Sequence, residues 1–188
     1  TELALSGYEA DWAAQNSWLS TDLAAAGGVA WRLAQYHKPM FPRTTTKPAV
    51  QTSSYTWIQT FYDHKLNLAV ESDSHLVKYT YPVQPGANDY VQATAGTVYL
   101  GEGAWGAPRR TADRVSSWIA DQDSFDHFNV LQLAGDKLAV RTLRFDGEAS
   151  MGGLTREERA ANPLALPSGM SLWVAAGVGD VYTLERDA

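Results

Sequence analysis

Alternation of helical and strand patterns over the first 75 residues constrains this chain's fold more than any other feature. Residues 11–28 have apolar side chains on one helical face and end in a Gly–Gly pair, so they predict a helix. Residues 29–36 predict a strand, a second helix follows with Ser53 or Ser54 as its cap, and residues 67–70 predict a short buried strand. This order predicts a layered α/β structure.

The second half of the sequence is dominated by strand patterns. Residues 96–100 predict a strand that enters the glycine-rich segment GEGAWGAP, and residues 128–147 predict a hairpin with its turn at AGD. Thr155 and Glu158 have the spacing of a capping box, which predicts a short helix, and residues 171–188 predict a final pair of strands. We therefore expect a mixed sheet with terminal β-hairpins.

The composition excludes several classes of function. With 188 residues, of which 45% are hydrophobic and 19% charged, the chain has the size and composition of one globular domain. No apolar run is long enough to span a bilayer. A net charge of -6, with no basic cluster beyond Arg109 and Arg110, argues against binding an extended nucleic-acid backbone. Because no cysteine is present, disulfides and cysteine-ligated zinc are excluded.

Two of the four histidines follow directly on predicted strands. His37 comes after the first strand, while Asp73 and His75 come after the second, in the segment ESDSH. Ligands of such sheets bind beyond the carboxyl ends of the strands, and imidazole with carboxylate suits zinc, iron or manganese. From spacing alone, these residues are either metal ligands or ordinary polar loop residues. The other two histidines are expected to be structural: His64 and His127.

Three segments, in their order and spacing, carry a resemblance to a known family. They are AWRLAQYHKPMFP, FYDHKLNLAVESDSHLVKYTYPV and GTVYLGEGAWGAP. With them, the chain from about Trp12 to Phe145 resembles the calcineurin-like metallophosphoesterase superfamily, and more closely its purple-acid-phosphatase-like bacterial members. These proteins have a strand that ends in a histidine and proline loop, followed by a Gly-His-x-His loop.

The resemblance implies an α/β fold that is half of a four-layer α/β/β/α metallophosphoesterase sandwich. Residues 1–188 would be the C-terminal half of a single domain, because the family's Asp-x-His, Gly-Asp and Gly-Asn-His motifs are absent from this sequence. An N-terminal fragment or subunit of the same protein would complete the site. Without that partner, we expect such a half to expose a sheet face and an edge. The likeness favours a secreted or periplasmic location.

A set of metal ligands also follows from the resemblance. His37 matches the histidine that binds the second of two metal ions, and Asp73 stands where a further histidine would bind that same metal. His75 matches a ligand of the first metal. The cofactor would be two divalent or trivalent transition metal ions, namely zinc, iron or manganese. The aspartate leaves two interpretations open, a competent oxygen ligand or a degenerate, non-catalytic site.

The implied reaction is hydrolysis of a small phosphomonoester or phosphodiester by a hydroxide activated between two metals. Lys38 and Arg109 are candidates to neutralise phosphate oxygens, and the alternative is that both are solvated surface charges. Candidate substrate contacts are Trp105, Glu102 and Tyr79, although ordinary packing explains the tryptophan equally well. Glu71 is, together with Glu102, a candidate to orient a ligand histidine.

Two other functions remain open from the sequence. The chain begins at Thr1, which would act as the nucleophile of a self-processed amide hydrolase if cleavage released its amine. A proteolytic nick or an expression boundary explains the same start. Alternatively, the seven tryptophans, the nine tyrosines and the aspartate at position 73 are consistent with a non-catalytic binding protein on the same fold.

Overall fold

The computed structural model describes residues 9–50, 57–145 and 151–186. Within these ranges the helices are α1 (Glu9–Ala25), α2 (Trp57–Asp63) and α3 (Arg156–Ala161). The strands are β1 (Leu33–Gln35), β2 (Leu68–Val70), β3 (Val77–Thr80), β4 (Val83–Pro85), β5 (Tyr90–Gln92), β6 (Val98–Gly101), β7 (Ile119–Asp123), β8 (Asp126–Ala134), β9 (Lys137–Phe145), β10 (Met170–Leu172) and β11 (Tyr182–Glu185). None of the helices among these residues is long and apolar enough to cross a membrane.

A five-stranded mixed sheet in the order β1-β2-β6-β3-β7 forms the centre of the fold. The strands β1, β2 and β6 are parallel, with Leu33 opposite Leu68 and Leu68 opposite Val98. The strand β3 lies antiparallel to β6 and pairs on its other side with β7. The three parallel strands therefore end at the same edge of the sheet, and the loops that follow them meet there.

A second sheet is built around β9. The strands β8 and β9 form a hairpin in continuous register, from Asp126 opposite Phe145 to Ala134 opposite Lys137. Its predicted turn is confirmed, and Gly135 takes the left-handed conformation with φ of 61°. The strands β10 and β11 both pair with the other edge of β9. The last two strands therefore extend this sheet one after the other and do not form a hairpin of their own.

Both faces of the five-stranded sheet are covered by side chains of this chain. On one face, Leu23 of α1 and Phe61 of α2 belong to one apolar core with Tyr99 of β6. The next residue of β6, Leu100, points to the opposite face and packs with Leu138 of the second sheet. The layers are helix, sheet and sheet, which confirms the mixed α/β fold expected of half a sandwich. The expected exposed sheet face was wrong, because the second sheet covers it.

The strand predicted for residues 29–36 is correct in place but too long. The backbone N of Arg32 donates to Oδ1 of Asn67 at 2.9 Å, and Nε1 of Trp31 donates to the carbonyl O of Gly135 at 3.1 Å. Side-chain and loop backbone hydrogen bonds therefore hold the first residues of this segment, and the paired register with β2 begins at β1.

The predicted helices are confirmed where the structure describes them. The helix α1 covers most of residues 11–28. The capping box of α3 is present, since Glu158 N donates to Thr155 Oγ1 at 3.1 Å and Thr155 N donates to Glu158 Oε2 at 2.8 Å. The predicted cap of α2 at Ser53 or Ser54 lies outside the described residues.

Candidate metal centre

Three loops meet at the edge where the parallel strands end. They follow β1, β2 and β6 and carry, in that order, His37, the segment from Asp73 to His75, and Glu102. Backbone hydrogen bonds join them, because Ser72 N donates to His37 O at 2.9 Å and His75 N donates to Glu102 O at 2.9 Å. Residues far apart in the sequence are thus held next to one another.

The side chains of His37 and Asp73 are close enough to bind the same ion. Nε2 of His37 lies 3.5 Å from Oδ1 of Asp73. The side chain of His37 is 50% exposed, and that of Asp73 is 13% exposed. Asp73 has a left-handed backbone with φ of 71°, as does His75 with φ of 56°. Aspartate and histidine tolerate this conformation better than most residues, and left-handed residues of this kind occur often at functional sites. In this conformation the carboxylate of Asp73 lies beside the imidazole of His37.

Positive groups surround Asp73. Nζ of Lys47 lies 2.8 Å and 2.9 Å from the two carboxylate oxygens of Asp73. Nη1 of Arg110 donates to the backbone O of Asp73 at 2.8 Å. The side chains of the Lys47–Asp73 pair are 22% and 13% exposed, so water screens their attraction only in part. Lys47 and Arg110 were not among the residues that the sequence indicated.

His75 is oriented through one of its ring nitrogens. Nδ1 lies 2.8 Å from the carbonyl O of Pro108. Because a carbonyl only accepts, Nδ1 carries the proton, and Nε2 of the neutral ring keeps its lone pair. Metal-binding histidines are commonly oriented in this way.

The donor atoms fit a transition metal in kind but not in number. Imidazole and carboxylate are the ligands expected for zinc, iron or manganese, and His37, Asp73 and His75 supply both. Among the described residues, however, no three histidine, aspartate or glutamate side chains converge closely enough to hold a metal ion.

A buried ion cluster lies beneath the loops and consists of Glu71, Lys78 and Glu102. Nζ of Lys78 lies 2.6 Å from Oε2 of Glu71 and 2.7 Å from Oε1 of Glu102, and all three side chains are fully buried. Burial opposes the charge of Lys78, but the carboxylates outweigh it and hold the pKa of the ammonium above its usual value. Oε1 of Glu71 also accepts from Tyr36 OH at 2.6 Å and from Met40 N at 2.9 Å. The cluster therefore ties β3 to the loops after β1, β2 and β6.

Three residues with predicted roles lie in this cluster or next to it. The carboxylates of Glu71 and Glu102 are both engaged by Lys78, and their role in orienting a ligand histidine stays a prediction. Glu102 has no exposed area, and its contact with substrate stays a prediction. Tyr79 is 2% exposed, and its hydroxyl lies 2.5 Å from Oγ1 of Thr142 between the two sheets. Strand alternation turns the side chain of Tyr79 towards the second sheet, and its contact with substrate stays a prediction.

Other predicted substrate residues are accessible. Trp105 is 54% exposed, and its ring packs against Phe128 with 5.3 Å between centroids. Arg109 is exposed and Lys38 is half-buried. Their contact with a phosphate ester stays a prediction. Thr1 lies outside the described residues.

The two histidines expected to be structural have contacts of that kind. Nε2 of His64 lies 3.1 Å from Oγ of Ser20, which joins the end of α2 to α1. Nδ1 of His127 donates to the carbonyl O of Phe125 at 3.2 Å. His127 is buried, and burial lowers the pKa of its imidazole.

Solved structures, but not sequences, match the chain. No family model and no curated protein matches it. Among solved structures, the purple acid phosphatase PPD1 isolated from yellow lupin (Lupinus luteus) seeds is similar, with a TM-score of 0.59 and 14% sequence identity. In fold, the chain is similar to a purple acid phosphatase. The match covers 92% of this chain but 28% of that protein, so the chain spans less than a third of its neighbour's length. At this identity the likeness extends to the fold alone.

Proposed function

We propose that this chain supplies part of the metal site of a phosphoesterase that hydrolyses small phosphomonoesters or phosphodiesters. The observation that carries the proposal is the approach of His37 Nε2 to within 3.5 Å of Asp73 Oδ1, at the edge where parallel strands end. The fold likeness to a purple acid phosphatase supports it. His37, Asp73 and His75 would hold two transition metal ions, with the remaining ligands supplied by an N-terminal fragment or subunit of the same protein.

Each residue of the proposed site has a distinct task. Asp73 contributes the negative charge that holds a cation, and His37 and His75 contribute neutral imidazole nitrogens. Transition metals bound there supply Lewis acidity and lower the pKa of water. Lys38 and Arg109 would attract the phosphate ester and stabilise the charge that builds on its oxygens in the transition state.

The proposal is tested on protein expressed in its native host, so that any partner segment is retained. We expect about two transition metals per assembled molecule, together with hydrolysis of p-nitrophenyl phosphate or bis(p-nitrophenyl) phosphate. His37→Ala and His75→Ala should each lower the rate about 100-fold or more, with loss of metal. His64→Ala is the matched control and should retain both, since His64 contacts Ser20.

A non-catalytic binding protein is the second candidate, and one observation favours it. Both oxygens of Asp73 are engaged by Lys47, so the charge of this carboxylate is already neutralised without a metal. A folded assembly that contains no transition metal and hydrolyses neither ester would establish this candidate and refute the phosphoesterase.

A further inference from the structure

A cavity of about 370 Å³ lies between the loop that follows β1, the loop that joins β4 to β5 and the segment that precedes β7. Arg43 and Arg114 both line it. Arg43 is only 4% exposed, and its Cζ lies 4.5 Å from the ring centroid of Trp118. The cavity is therefore lined by two guanidinium groups, of which one is almost completely buried.

The two guanidinium groups contact only neutral acceptors. Nη2 of Arg43 donates to the carbonyl O of Arg114 at 2.5 Å and to Oγ of Ser116 at 3.1 Å. Nε of Arg43 donates to Oε1 of Gln122 at 3.3 Å, and the terminal nitrogens of Arg114 donate to three backbone carbonyls. In the part of the chain that the structure describes, no carboxylate forms an ion pair with either arginine. Because buried charges are normally paired, Arg43 lacks the charged partner expected for it.

More distant carboxylates do not make up for this lack. Burial lowers the pKa of Arg43 below its usual value, although the charges of Glu102 and Asp89 oppose the shift. The positive charge of Arg114 lowers this pKa further. Glu102 accepts from the backbone N of Arg43 at 3.2 Å, and its other carboxylate oxygen is engaged by Lys78. An anion in the cavity would supply the negative charge in direct contact with the guanidinium.

Both arginines keep donors that a ligand can reach. Nη1 of Arg43 and Nε of Arg114 have no acceptor among the described residues, and neither atom is sealed from solvent. The same cavity is lined by Phe41, Val50 and Val115, and Val115 is 91% exposed. The cavity therefore combines N–H donors on cations with apolar side chains at its rim.

We infer that this cavity binds a small organic anion, namely a carboxylate that bears a branched apolar group. Guanidinium N–H groups match the oxygens of a carboxylate, and the apolar group packs against the valines. Because Asp89 also lines the cavity, a single negative charge is favoured over the double charge of a phosphate. Neither arginine belongs to the residues proposed to hold metal ions or a phosphate ester, so the inference does not depend on the proposed function.

Titration with isovalerate (3-methylbutanoate), followed by NMR at the Arg114 Nε–Hε signal, tests the inference. We expect this signal to shift and to saturate, with a Kd of about 1 mM or lower. Isovaleramide has nearly the same shape without the charge and should not bind. Inorganic phosphate should bind more weakly than isovalerate.

Substitutions at exposed positions test the location of the site without disturbing the core. Val115→Glu places a carboxylate at the rim of the cavity and should raise the Kd for isovalerate about five- to tenfold. Val115→Gln has the same size without the charge and should leave the Kd close to that of the wild type. Leu164→Glu is the control for net charge, because Leu164 is 87% exposed and does not line this cavity.

Four results would overturn the inference. The first is the absence of saturation at Arg114 by about 20 mM isovalerate. The second is binding of isovaleramide as tight as that of isovalerate, and the third is tighter binding of inorganic phosphate than of isovalerate. The fourth is an equal Kd for Val115→Glu and Leu164→Glu, which would place the bound anion outside this cavity. None of these results bears on the metal site of the proposed function.

Discussion

Removal of the Lys78 ammonium should be among the most damaging single changes in this protein. Its Nζ lies 2.6 Å from Glu71 Oε2 and 2.7 Å from Glu102 Oε1, and none of the three side chains is exposed to solvent. Lys78→Met keeps the volume and leaves two carboxylates buried without their shared cation. Breaking a buried pair from one side costs about 3–5 kcal/mol. Because one lysine serves two carboxylates, we expect a loss near the top of that range, about 5 kcal/mol.

Urea unfolding monitored by tryptophan fluorescence measures this loss. A domain of this size has a free energy of unfolding of about 5–15 kcal/mol, so Lys78→Met would remove a large part of it. In a Glu102→Gln background the same change should cost about 2 kcal/mol less, because only one carboxylate is then left unpaired. Lys137→Met, at an exposed ion pair, should have no measurable effect.

A small loss in the free energy of unfolding would refute this reasoning. If Lys78→Met lowered the free energy of unfolding by less than about 1 kcal/mol, the two carboxylates would have another way to lose their charge. An identical cost in the wild-type and Glu102→Gln backgrounds would show that the three groups do not act as a cluster.

Two further perturbations test the packing of the fold. Burial lowers the pKa of His127, so the unfolded chain takes up a proton at a higher pH than the folded chain does. The free energy of unfolding should therefore fall as the pH drops below about 6.5, by up to about 1.4 kcal/mol per pH unit. Urea unfolding at several pH values should show a shallower pH dependence for His127→Gln. Gly101→Ala should cost more than about 2 kcal/mol in the same assay, because its Cβ would lie 2.1 Å from the carbonyl O of Glu71. Gly106→Ala, at φ of 72° with open space around it, should cost only the strain of its conformation, about 1–2 kcal/mol, and equal costs at the two glycines would contradict the steric argument.

Elements that depend on neighbours in the sequence could be predicted, and those that depend on distant partners could not. The hairpin of β8 and β9 and the capping box at Thr155 depend on residues close together in the sequence, and both predictions are confirmed. The strand β3 was missed because all four of its residues are buried, including Lys78 and Thr80. Lys78 interrupts the apolar pattern by which a buried strand is predicted. Its ion partners, Glu71 and Glu102, lie in loops that the local pattern does not reveal.

Some residues of the candidate site could likewise be predicted from the sequence, and others could not. His37 and Asp73 stand directly after strands, so their approach at one sheet edge follows from the parallel topology. Lys47 lies in a loop between prolines with no periodic pattern, and its place beside Asp73 depends on contacts from Arg114. Tyr79 was expected near substrate from its position in the chain, yet the direction of its side chain is set by the register of β3.

The left-handed backbone at position 73 limits which side chains can be exchanged there. With φ of 71°, the position suits glycine, asparagine, aspartate and histidine, whereas other residues are strained by about 1–2 kcal/mol. Aspartate and histidine are both metal ligands, so one can replace the other without a change of backbone. Glutamate, the chemically nearest relative of aspartate, lacks that tolerance. In the proposed metal site, the shape of this loop would therefore restrict the ligand at position 73 to a few residue types, and an exchange between aspartate and histidine would turn an oxygen ligand into a nitrogen ligand without a change of backbone.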